Sequence, residues 1–133
     1  PKDFKVLLGS PLLLTDGLDL GATGGIFAVA SLAPRACCEA VRSYKYGDKE
    51  RAQRIKDRIA GLAKVVAVPG VGHLKAAIGM CGMYGFVPRS PLPFPDDSER
   101  EKIEQAIAES GFFSRVDEGH PWLERDDLRE VEF

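Results

Sequence analysis

The sequence predicts an α/β protein dominated by helices, in the order strand, short helix, strand, four helices. Three observations carry that expectation. Two short runs are mainly apolar, Phe4–Leu8 and Ile26–Ala30, the second without any polar alternation, which is the pattern of parallel strands covered on both faces. From Pro34 onward apolar residues recur at helical spacing instead. Glycine and proline separate each segment from the next. Two strands are too few for a sheet that must be covered on both sides. The order therefore reads as the end of a larger α/β protein, and a doubly wound sheet or an eight-stranded barrel would both end this way.

Phe4 to Leu8 reads as a buried strand closed by Gly9, after which Ser10-Pro11 breaks the run. Leu12 to Leu18 suits one or two helical turns, and Leu20 to Gly25 reads as a loop by its glycines. Ile26–Ala30 is then the second strand. Pro34 fits the first turn of a helix that stops at Gly47. Asp48 is the expected N-cap of the next helix, where Ala52, Ile55, Ile59, Leu62, Ala63 and Val66 share a face. Val68 to Gly72 interrupts that run. A third helix is predicted from about His73, with Leu74, Ala77, Ile78 and Cys81 on one side and an end at Gly85. Prolines 91, 93 and 95 hold the following stretch extended. Ser98 to Glu101 has capping-box spacing for a fourth helix through Ile103, Ala106 and Ile107, closed by Gly111. Beyond Arg115 the composition turns acidic, which predicts a tail anchored at Trp122 and otherwise mobile.

The bulk numbers limit the function classes. The chain has 133 residues, 44% hydrophobic and 29% charged, one domain's worth of globular material. Its 18 Lys+Arg and 20 Asp+Glu are interleaved, for a net charge of −2. That argues against nucleic acid or an anionic membrane as partner. No apolar stretch is long enough to span a bilayer and no signal-peptide layout is present, so a cytoplasmic protein is expected. Three cysteines, two of them adjacent, fit neither a disulfide framework nor a zinc ribbon. His73 and His120 have no matching ligand spacing, so no metal is expected. Pro1 is not an initiator methionine, which suggests processing or a sequence that starts inside a longer protein.

The isolated motifs have plain structural readings. Gly70-Val71-Gly72-His73-Leu74-Lys75 lacks the Gly-Lys-Ser/Thr ending of a phosphate loop and reads as an interhelical linker. Gly21, Gly24 and Gly25 precede a strand rather than follow one, so the dinucleotide-binding reading fails on context. Cys37-Cys38 reads as small packed residues sooner than a reactive pair. His73 and Lys75 near a helix start fit an anion or simply a solvated helix end. His120-Pro121-Trp122 reads as a tail anchor.

As a whole the sequence resembles the dihydrodipicolinate synthase and N-acetylneuraminate lyase family. Phe4 to Ser10, followed by Leu20 to Ile26, is similar to the seventh and eighth strands of that family. Gly47-Asp48 with Ala52, Gly70 to Ala77, and Gly85 to Leu92 are similar to its later signatures, in order, up to about Phe113. The resemblance implies a (β/α)8 barrel with a C-terminal helical appendage, commonly a homotetramer. It also implies pyruvate, or a 2-oxo acid made from it, held as a Schiff base on a lysine of the sixth strand, with a proton-relaying tyrosine on the fifth. No cofactor is implied. An entire barrel needs roughly 250 residues. On this reading residues 1–47 are the last two strand–helix units, 48–113 the helical region and 114–133 the tail; the lysine and tyrosine fall outside the chain, which has no catalytic residue of its own.

The resemblance places the surviving wall of the site at Gly9, Ser10, Ile26 and Ser31, because functional groups of such barrels sit at the C-terminal ends of strands. Lys2 and Lys5 belong to a strand's entry and body, and Lys45, Lys49, Lys56, Lys64, Lys75 and Lys102 to helices or their ends. None has the desolvated setting that activates a Schiff-base lysine. Ser10-Pro11 stands where many synthases carry acidic residues, and Ser31 where many members carry asparagine. The Gly9-Ser10 pair and the Gly24-Gly25-Ile26 run look closer to the 4-hydroxy-2-oxoglutarate aldolase branch, where Ser10 would hydrogen-bond the distal end of the substrate. The expected function is a carbon–carbon lyase or synthase acting on a small 2-oxo acid. The competing expectation is a non-catalytic helical oligomerisation module derived from such a barrel.

Overall fold

A computed structural model of the chain describes residues 3–113. The expectations for the acidic tail, His120 and Trp122 lie outside those residues. Strand β1 is Leu7–Leu8 and strand β2 is Gly24–Gly25. They pair in parallel, Leu7 opposite Gly24 and Leu8 opposite Gly25. Between them a 3₁₀ turn at Pro11–Leu13 runs into helix α1, Leu14–Asp19. A second 3₁₀ turn, Ala28–Ser31, leads to α2 (Pro34–Lys45), α3 (Lys49–Val66), α4 (Val71–Met80) and α5 (Asp97–Ser110).

The second strand differs from the sequence reading. The glycines read as loop form the strand, and the run Ile26–Ala30 leaves it. The Ile26 amide closes the ladder on the Leu8 carbonyl at 2.9 Å, and the chain then folds so that the Ala30 amide donates to the Phe27 carbonyl at 3.0 Å. Phe27 reaches the core from the extended residue that opens this turn, and Val29 from within the turn. A short apolar run does not by itself separate these two ways of being buried. Phe4, Val6 and Leu7, expected inside a covered strand, are exposed.

The helix ends follow local chemistry. Pro34 occupies the first turn of α2, and the Asp48 carboxylate caps α3 by accepting from the Arg51 amide at 2.9 Å. Gly70, at φ 124°, admits the chain into α4 two residues before the predicted start. The helix ends at Met80, short of Gly85, with Gly82 at positive φ. The capping box of α5 uses Asp96 and Glu99, two residues earlier than Ser98 and Glu101. The Asp96 carboxylate accepts from the Glu99 amide at 2.8 Å, and Glu99 Oε2 accepts from the Asp96 amide at 2.9 Å. Gly111 closes α5 in the left-handed conformation, as expected.

One core runs through these elements, with Leu14, Val29, Leu32, Ile59, Leu62, Val66 and Ile103 fully buried. The long helix α3 lies at its centre, against α1, α2, α4 and α5. Among the described residues no single helix is long and apolar enough to cross a membrane, and α3 and α4 are bent by 111° at their break.

Candidate functional site

The parallel register decides what meets at the sheet's end. Because Leu8 stands opposite Gly25, the residues that follow, Gly9-Ser10 and Ile26, emerge side by side at the C-terminal edge of adjacent strands. Gly9 is exposed, and a Cβ added there would meet no heavy atom within 4 Å. Ser10 turns the chain: its Oγ accepts from the Leu12 amide at 3.4 Å, and Pro11 behind it is buried. That leaves the Ser10 hydroxyl proton available to donate outward. Ile26 has its amide committed to Leu8 and its side chain 74% exposed. Ser31 is the last residue of the second 3₁₀ turn and is exposed.

Nothing among the described residues supplies an activated nucleophile at this edge. Lys5 precedes β1, and Lys45, Lys49, Lys56, Lys64, Lys75 and Lys102 belong to α2–α5. Lys49 is set against imine chemistry: it donates to Asp19 Oδ1 at 2.5 Å, a bond that raises its pKa and keeps it protonated. Tyr44 donates to the same oxygen at 2.5 Å. Lys49, followed by Tyr44, holds the Asp19 carboxyl below its ordinary range. This cluster borders an open groove of about 460 Å³ among α1, α2 and α3, which none of Gly9, Ser10, Ile26 or Ser31 lines. Its members come from separate elements, 25 and 30 residues apart, so no sequence spacing announces them.

The two buried cysteines, Cys37 and Cys81, are equally unsuited to attack. Burial pushes the Cys37 thiol up to about 11, with adjacent Cys38 adding to the shift, and burial alone does the same to Cys81. Cys38 is exposed, so the vicinal pair splits between core and surface. His73 faces Glu99 Oε1 at 3.6 Å, a carboxylate where the anion reading needed open space. The linker reading of Gly70 to Lys75 holds only for Gly70: Val71 to Lys75 belong to α4, where a Cβ on Gly72 would collide with the Pro93 carbonyl. No group of three or more potential metal ligands occurs among the described residues.

Known proteins share this sequence pattern and fold. A sequence profile of the dihydrodipicolinate synthetase family matches residues 1–110. An uncharacterised DapA-like lyase of Halobacterium salinarum is 36% identical over 110 residues, 82% of this chain and 36% of the relative. A 4-hydroxy-tetrahydrodipicolinate synthase of Methanothrix thermoacetophila is 38% identical over 100 residues, 74% of this chain and 34% of the relative. The chain thus spans about a third of the length of these curated relatives. Among solved structures, dihydrodipicolinate synthase DapA-2 of Bacillus anthracis superposes with a TM-score of 0.76 at 20% identity, over 81% of this chain and 37% of that one. YagE, a prophage protein of Escherichia coli K12 solved with pyruvate, gives 0.70 at 23% identity, over 82% and 38%. The described residues have the fold of the end of a (β/α)8 barrel with its C-terminal helices. With its strand pairing, its helix order and its sequence all matching, the chain belongs to the dihydrodipicolinate synthetase family.

Proposed function

We propose that this chain is the C-terminal part of a class I aldolase-type carbon–carbon lyase or synthase. It acts on pyruvate, or a 2-oxo acid derived from it, through a Schiff-base lysine outside these 133 residues. The observation that carries the reading is the parallel register setting Gly9-Ser10 beside Ile26 at the strands' C-terminal edge, where barrels of this kind keep their chemistry. Support also comes from the pyruvate bound by YagE and from the absence of a strand-end lysine among the described residues.

In this reading the amine adds to the keto carbonyl and expels water, and the protonated imine then accepts the electron pair of the carbon–carbon bond. The chain's share is shape and polarity. Gly9 leaves room for the substrate, the Ile26 backbone lines its keto-acid end, and the Ser10 hydroxyl donates to its distal carboxylate or hydroxyl; Ser31 lies at the rim. Ser10 in place of an acidic residue favours 4-hydroxy-2-oxoglutarate aldolase-like chemistry over 4-hydroxy-tetrahydrodipicolinate synthesis. Residues 1–47 are assigned to the barrel, 48–113 to the helical region and 114–133 to an acidic tail. The parent protein is assigned as a cytoplasmic homotetramer.

Reductive trapping tests this. Incubated with pyruvate and borohydride, the isolated chain should gain no mass. Refolded with a polypeptide supplying the first six strand–helix units, it should yield one reduced pyruvate adduct, on a lysine of that second piece. A stoichiometric adduct on a lysine of the isolated chain would refute the assignment. A non-catalytic helical module is the second reading, favoured by a core built mainly from helices, to which the sheet adds only the partly buried Leu8. It gains if the two pieces never associate.

A further inference from the structure

Gly25 ends β2, Ile26 follows with its amide on the Leu8 carbonyl at 2.9 Å, and Phe27 opens the next turn in extended conformation, φ −114° and ψ 133°. The Phe27 ring folds back over the strand it has just left. A Cβ built on Gly25 would collide with ring atoms Cζ and Cε1 and stand 2.9 Å from the Leu8 carbonyl oxygen. The ring has little freedom to withdraw, because Phe27 is 6% exposed and belongs to the main core. Ile26, held between them, is 74% exposed. We propose that Gly25 and Phe27 are a positioning pair for Ile26: the ring occupies the space left by the missing side chain and clamps the backbone on both sides of residue 26. This rests on the keto-acid reading above and names what holds that wall still.

The physical reason is the freedom of glycine. A glycine at the end of a two-residue strand has few constraints of its own. A core-anchored ring pressed on its bare face supplies the missing constraint, whereas a β-carbon there would exclude the ring. The pair therefore works only as glycine with aromatic, and the two positions must be energetically coupled.

Two readouts test the pair with Phe27→Ala, Phe27→Leu, Gly25→Ala and the Gly25→Ala/Phe27→Ala double variant. The first is amide exchange in the 133-residue chain. It compares Ile26 with Thr23, whose amide closes the other end of the ladder on the Val6 carbonyl at 2.9 Å. Phe27→Ala should speed exchange at Ile26 by on the order of tenfold and leave Thr23 nearly unchanged, with Phe27→Leu in between. Equal acceleration at both amides would mean general destabilisation and overturn the proposal.

The second readout is the pyruvate concentration that half-saturates borohydride trapping in the two-piece assembly. Phe27→Ala should raise it on the order of 10- to 100-fold, the scale of a misplacement of about 1 Å at a reacting group. Gly25→Ala should do comparable harm alone and little more in the double variant. Additive losses would overturn the pair while leaving the lyase reading standing. A wild-type assembly without any adduct would instead overturn the lyase reading, and with it the wall that the pair is proposed to hold.

Discussion

The two ends of this molecule bury their apolar residues very differently. In the sheet region, Phe4, Val6, Leu7 and Ile26 stand exposed on strands of two residues each or beside them. In the helical region, α3 alone contributes Ile59, Leu62 and Val66 to a closed core that also holds Ile103 of α5. The sheet region owes its order to neighbours: Phe27 and Leu14 tie it down from the turn and helix that follow the strands. Stability resides in the helices, and the candidate site sits on the less well-packed end. That division suits a site whose residues must face a ligand instead of one another.

Core truncation should separate the two regions most sharply. Ile103→Ala removes a fully buried side chain from the contact of α5 with α3 and α4. It should cost about 2–5 kcal/mol in a denaturant titration. Ile26→Ala, on an exposed side chain, should change stability by about 0.5 kcal/mol or less. Equal losses would show that the sheet's end is packed as tightly as the helices.

Asp96→Ala tests whether the helical region owes its order to local capping as well as to the core. The substitution leaves the Glu99 amide without its carboxylate acceptor. It should cost about 1 kcal/mol, while Ser98→Ala should cost less because Ser98 is not the cap. The reverse ranking would return the capping box to the register first read from the sequence.

The smallest expected effect concerns the thiols. Cys37 and Cys81 have folded pKa values raised from 9.0 to about 11, so the folded state holds their protons more tightly than the unfolded state. Their contribution to stability is complete below pH 9 and is lost as pH rises toward 11. Replacing both with alanine should flatten that alkaline decline, measured as melting temperature against pH. At neutral pH a thiol reagent should label exposed Cys38 quickly and the other two only as the protein opens. Three cysteines reacting together would contradict the packing around α2 and α4.

The features legible in advance are those decided within one turn of chain. Pro34 starts α2, Asp48 caps α3 and Gly111 closes α5 because each acts on backbone groups a few residues away. Asp96 escaped because two overlapping registers, Asp96 with Glu99 and Ser98 with Glu101, satisfy the same spacing. The parallel pairing of β1 with β2 was legible through family resemblance and chain order. The location of β2 was not, since glycines gain strand structure only when a neighbour supplies the ladder.

By itself the sequence determined the helix order, the starts of α2 and α3, the end of α5, the family and the residues that flank the sheet's end, all of which depend on local chemistry or on similarity along the chain. Only the tertiary structure decided that Phe27 lies over Gly25, that Cys37 and Cys38 part company, and that Asp19, Tyr44 and Lys49 meet. Those facts depend on which surfaces the folded chain brings within a few ångströms of one another. Local propensity carries no record of that choice, because the energy of close packing belongs to pairs of atoms distant in sequence.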